Sequence, residues 1–180
     1  MRLRLSLLAF AAVMVVCCVQ ASDRSAGKTR VGHLNCGGAI LAASTVYLDI
    51  DDQDRQTLSQ TITLTRPERS TSIVLPGDGR SLHQPFLKDT PVLDAAVTGW
   101  ACLTAADGKA YVYVIYTCVE SPSRPDCEGD RREWVRLFDA QGKALNAGFP
   151  HDDPRTPALM KKLGLEHYLH TGVQLEDIDD

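Results

Sequence analysis

The chain has 180 residues, a net charge of −4 and six cysteines, with 44% hydrophobic and 23% charged residues. The excess of acids argues against phosphate backbones and anionic lipid surfaces as partners, because both reward clustered lysine and arginine. An acidic chain suits a basic partner, or none.

The opening MRLRLSLLAFAAVMVVCCVQAS places Arg2 and Arg4 ahead of an apolar run from Ser6 to Val19, and Val19-Gln20-Ala21 fits a small-x-small cleavage site. Residues 1–21 are therefore expected to be a secretory signal peptide, because about fourteen apolar residues fall short of the roughly 18 to 20 that span a bilayer. Lipidation at Cys17 or Cys18 is the second reading, disfavoured by the bulky Val15-Val16 before them. Removing this segment takes away two of the 19 basic residues and none of the 23 acids, so the remaining 159 residues carry −6. That length is enough for one domain with its own core. Residues 22–30 are expected to form a flexible leader and residues 31–180 a single disulfide-bonded, β-rich domain.

Along that domain, HLNCGGAILAAS and TVYLDI read as a first strand pair, followed by an acidic turn, DIDDQDRQ. TLSQTITLT and TSIVL, separated by RPERS, read as a second hairpin. PGDGR is a turn, and SLHQPFLKDTPVLD, with two prolines, is an irregular crossing. VTGWACLT and KAYVYVIYTCV flank AADG, whose Asp107-Gly108 is the strongest short hairpin signal in the chain. REWVRLFD gives a further strand, ended by the turn AQGK. AADGK and AQGK share a turn-Gly-Lys pattern that turn chemistry alone explains. Only the C-terminal part changes period: Thr156 stands at an N-cap, Pro157 at the first helical position and Gly164 just past the end of a short helix. LEHYLH is expected to add one more helical turn, and VQLEDIDD to leave as an acidic tail. The fold class is mainly β, an antiparallel sandwich or curled sheet with a short helical C-terminal segment, and α+β if the helices pack on the sheet.

Cys36, Cys102, Cys118 and Cys127 follow the signal segment, an even number that reads as two disulfides in an exported chain. With a two-residue Asp107-Gly108 turn, Ala106 faces Lys109 and Cys102 faces Tyr113, and Tyr113 and Cys118 point to opposite faces. That register disfavours Cys102 with Cys118 and leaves Cys36 with Cys102 and Cys118 with Cys127. A three-residue turn or a bulge would reverse the parity. Zinc fails on spacing, because no Cys-x2-Cys pair is present.

The other candidate chemistries each meet a simpler explanation. Asp49, Asp51, Asp52 and Asp54 invite calcium, but an EF-hand beginning at Asp49 would need a glycine where Asp54 stands and a glutamate where Gln60 stands. His167 and His170 could share a helical face with His151 and nearby aspartates approaching, although no HExxH or HxH pattern supports a metal. Ser81 beside His83 lacks an orienting third group, and no GxSxG elbow exists. NCGGA has neither phosphate-binding spacing. Trp100, Trp134, Tyr111, Tyr113 and Tyr116 are expected mostly in the core, with Tyr111 and Tyr113 on one face and Tyr116 on the other.

The loop VESPSRPD between Cys118 and Cys127 is the most distinctive feature. Its two prolines and its bridge remove conformational freedom, so its tip could meet a partner without losing ordering entropy. Ser123, Arg124 and Pro125 are the expected binding residues, with Arg124 as the probe. The expected function is a binding or inhibitory protein of a bacterial periplasm, with no catalytic residue, metal or cofactor, acting on another protein with some basic surface. In signal, size, charge and disulfides its format is similar to that of periplasmic immunity proteins, which neutralise toxin enzymes delivered into the cell envelope. The alternatives are a small envelope hydrolase using His151, His167, His170 and aspartates, and a structural or ligand-binding envelope protein marked by an exposed aromatic face bearing Trp100 or Tyr111.

Overall fold

The computed structural model describes residues 27–50, 55–69, 71–84, 87, 90–119, 121, 124–147 and 154–178. The expected signal peptide lies outside them. Among the described residues no helix is long and apolar enough to cross a membrane. The fold is mainly β, with antiparallel sheets and two short C-terminal helices.

The first sheet runs β1 (Lys28–Cys36), β2 (Ala39–Asp49), β3 (Arg55–Arg66) and β4 (Thr71–Val74) in sequence order. β1 takes up the last residues of the expected leader, where Lys28 pairs with Asp49 across the sheet. The glycines of NCGGA are the turn itself rather than part of a strand. Cys36 pairs with Ala39, and Gly37 and Gly38 both hold positive φ, 57° and 77°, as the favoured two-residue hairpin requires. Every second residue of β1 and β2 from Leu34 to Ala43 is buried, so alternation alone defines the inner face.

A two-stranded ribbon, β5 (Ser81–His83) with β6 (Pro91–Leu93), leads to the second sheet. That sheet has the order β10 (Glu176–Asp177), β7 (Ala95–Thr104), β8 (Ala110–Cys118) and β9 (Glu133–Asp139). The two sheets face each other over Leu34, Leu41, Ile62, Leu64, Val97, Trp100, Val112, Val114, Tyr116, Trp134 and Phe138. Gln60 of β3 spans this gap. Its amide donates to the Val97 carbonyl at 2.8 Å and its oxygen accepts the Val97 N–H at 2.7 Å, beside the β7 bulge. A side chain thus replaces a missing strand partner.

The second sheet buries its other face too. Ala101, Leu103, Tyr111, Val135 and Leu137 pack under Met160 and Leu165 from α1 (Arg155–Lys162) and the segment before α2 (Glu166–Thr171). The helices therefore pack on the sheet, which is the α+β form of the expected class. α1 stops where Gly164 donates to the Lys161 carbonyl and Leu165 to that of Met160, the paired bonds of a Schellman ending. The expected acidic tail instead returns to the sheet: Glu176 and Asp177 pair with Trp100 and Gly99, and Ile178 is buried. An apolar residue two positions before the end of an acidic run was the signal for this.

The hairpin register also differs from expectation. Thr104 faces Ala110 and Cys102 faces Val112, because the loop has three residues. Ala105 donates to the Lys109 carbonyl and Gly108, at φ 80°, donates to that of Ala105. The turn at 139–143 repeats these bonds, Asp139 to Lys143 and Gly142 to Asp139, so the shared turn-Gly-Lys pattern is indeed turn chemistry.

Candidate functional site

β8 delivers Cys118 to the end of the sandwich, where it bonds Cys127; Cys36 bonds Cys102 and ties the first sheet to the second. These are the expected pairs, but the parity argument for them fails. In the true register Val112, opposite Cys102, lies on the same face as Cys118. Distance excludes that pair instead: six residues of strand separate Val112 from Cys118, roughly 20 Å.

Within the stapled loop, the Arg124 N–H donates to the Ser121 carbonyl at 2.9 Å and Cys127 N–H to that of Arg124 at 3.1 Å. Arg124 was expected as an exposed probe, and the structure turns it inward, with 6% of its surface exposed. Its Nε lies 3.0 Å from a carboxylate oxygen of Asp94, which is fully buried. Its Nη2 donates to the Asp78 carbonyl, and its guanidinium lies 5.0 Å from the centre of the Trp134 ring. The reason is electrostatic: Asp94, placed in the core side of VLDAAV, requires a cation, and Arg124 reaches it.

Asp78 forms the second half of this network. Its carboxylate accepts from Trp134 Nε1 at 2.8 Å and Arg136 Nε at 2.8 Å, while Arg136 Nη2 reaches the other oxygen at 2.5 Å. The Arg80 N–H donates to Asp94 at 2.8 Å, and the Val119 N–H to the Asp94 carbonyl at 3.0 Å. Trp134 stacks on Tyr116 at 5.2 Å. Burial, reinforced by the Asp78 carboxylate, pushes the Tyr116 phenol up to about 12. The hydrogen bonds that Arg136 donates to Asp78 raise the guanidinium above its ordinary value, holding it charged. Two acids and two arginines thus fasten the 75–80 turn, the start of β7 and the stapled loop to β9.

Above this base, Pro125, Asp126 and Glu128 are exposed, whereas Ser121 is buried and Ser123 lies outside the described residues. Among the described residues Asp126 makes one long contact, 3.8 Å to Arg131. Asp78, Asp94 and Arg136 were missed as site residues because an acid in a turn or at a strand start looks solvated until its neighbours are known.

The remaining candidates, where described, are dispersed. Asp49 binds Lys28 at 2.6 Å and lies 3.5 Å from Arg55; the Lys28 hydrogen bond holds its carboxyl below the usual range. Asp51, Asp52, Asp54 and His151 lie outside the described residues. His33, His83, His167 and His170 are exposed on β1, β5 and α2. Ser81 and His83 are exposed on the β5 ribbon. Among the described residues no group of three histidines, cysteines or acids is arranged to hold a metal. Trp100 and Trp134 are core residues, and Tyr111 and Tyr116 face opposite cores, as their spacing predicts.

Comparisons with protein-family models, with curated proteins and with solved structures gave no match. Two disulfides are the mark of an oxidising compartment.

Proposed function

We propose that this protein is an exported binding or inhibitory module of the bacterial periplasm, of the kind represented by immunity proteins, and that it acts on another protein with basic surface. One observation supports the reading above the others: the rim of the stapled loop stands on a base held by a disulfide, a buried ion pair and an arginine-tryptophan contact. A rim held this firmly loses little freedom when it docks. Pro125, Asp126 and Glu128 supply an exposed, partly acidic contact surface, and Arg124 acts as a positioning residue beneath them. The acidic excess of the chain favours encounter with a basic partner.

The test is capture of partners from envelope extracts and neighbouring-gene products by the oxidised protein, followed by calorimetry with the recovered partner. A stoichiometric complex weakened about tenfold or more by Asp126→Lys with Glu128→Lys, at unchanged melting temperature, supports the reading. A complex indifferent to this double charge reversal removes the loop as the contact, and the lack of any complex removes the inhibitory role.

A further inference from the structure

The end of the sandwich opposite the stapled loop carries a second feature, independent of that reading. β8 runs eight steps from Ala110 to Cys118, roughly 26 Å, and at its Ala110 end a cavity of about 590 Å³ opens between the turns. Its size is that of a small-molecule site. Leu145 and Leu163 at the edge of the second core and Ala110 at the edge of the first line the cavity.

Three polar side chains join this apolar floor. Tyr111 is only 8% exposed and lines the cavity, yet its hydroxyl bonds to no described residue. The Lys109 ammonium lies 2.6 Å from the Asp107 carboxylate, a bond that occupies one of its three N–H groups and leaves two without a partner among the described residues. Asp107 also accepts the Lys109 backbone N–H at 3.1 Å, which fixes the pair in the turn. The Gln141 carboxamide likewise has no partner among the described residues and lines the same space. Asp139, the acid in the lining, accepts the Gln141 and Lys143 N–H groups at 2.9 Å through one oxygen, as the cap of its own turn.

We propose that this cavity binds a small carboxylate with an apolar body, whose carboxylate meets Lys109 and Tyr111 at the mouth while the body lies on Leu145 and Leu163. Lys109 and Tyr111 offer unused N–H and O–H donors at the mouth, so they match an acceptor, and the ammonium selects a charged one. Tyr111 keeps its ring in the core and turns only its hydroxyl to the ligand.

Benzoate and its uncharged counterpart benzyl alcohol test this by amide NMR titration of the oxidised full-length mature protein. Benzoate should shift the amides of Gly37, Gly108, Lys109, Tyr111 and Gln141 and leave the stapled loop unmoved. Tyr111→Phe, which keeps the packed ring, and Lys109→Gln, at an exposed position, should each weaken benzoate about tenfold with the remaining spectrum unchanged. Benzyl alcohol should bind about tenfold more weakly than benzoate to the parent protein and equally to Lys109→Gln. No shifts at tens of millimolar benzoate, shifts centred elsewhere, equal binding of the two probes to the parent protein, or unchanged affinity in both variants would each overturn the proposal. Loss of the protein partner in the capture experiment would leave these titrations unaffected, so the two readings fail separately.

Discussion

Arg124→Ala removes one member of a pair in which Asp94 is fully buried and Arg124 is 6% exposed. Asp94 retains the Arg80 N–H at 2.8 Å but loses the Arg124 guanidinium, and Trp134 loses the same group from its face. Truncating one partner of a buried pair costs about 3 to 5 kcal/mol, because the other charge stays desolvated. For a chain of this size that corresponds to a fall in melting temperature of roughly 6 to 20 °C. Thermal and urea unfolding of the oxidised protein, followed by circular dichroism and by tryptophan emission, measures both the cost and the change around Trp134. Asp94→Ala with Arg124→Ala should recover part of the loss, since the stranded carboxylate is gone. A fall below about 2 °C for Arg124→Ala, or strictly additive single-variant costs, would refute the reasoning and return Arg124 to the loop surface.

The two bridges should differ in worth. On the loop-entropy account, Cys118→Ser with Cys127→Ser costs about 2 to 3 kcal/mol and Cys36→Ser with Cys102→Ser about 4, since the bridges span 9 and 66 residues. The reverse ranking in urea titrations would show that native packing, not chain entropy, sets their contribution. Gln60→Ala strands the N–H and carbonyl of buried Val97 and should cost about 2 to 4 kcal/mol; a cost under about 0.5 would mean water replaces the amide. Tyr116 is held neutral up to about 12, above the ordinary tyrosine value near 10. Its contribution is complete below the unfolded value and declines as pH rises through 10 towards 12, because the unfolded chain ionises first. Stability should therefore fall between pH 10 and 11 with a slope approaching 1.4 kcal/mol per pH unit, roughly, and Tyr116→Phe should flatten that slope. An unchanged slope in the variant would assign the alkaline loss to other groups.

The strands of this protein were legible in its sequence because alternation is a local property. TITLT and YVYVIY each place one set of side chains inward whatever lies opposite, and Tyr111, Tyr113 and Tyr116 sort to their faces by counting. The end of α1 and the two turn-Gly-Lys loops were legible for the same reason, since their bonds close within a few residues. Register was not, because the two-residue and three-residue readings of AADGK differ only in which backbone groups pair, and Gly108 serves either. The loop carrying Arg124 shows the larger gap. Its prolines and its bridge are in the sequence, but the direction of the arginine depends on Asp94, thirty positions earlier, and on the face of Trp134. The same holds for Gln60 and Val97, and for Ile178, whose burial beneath the first sheet converts an acidic tail into a strand. The sequence determined periodicity, turn chemistry and an even set of cysteines, all short-range constraints. Only the tertiary structure decided where the charged side chains point, because the cost of burying a charge is settled by whichever distant partner the fold brings to it.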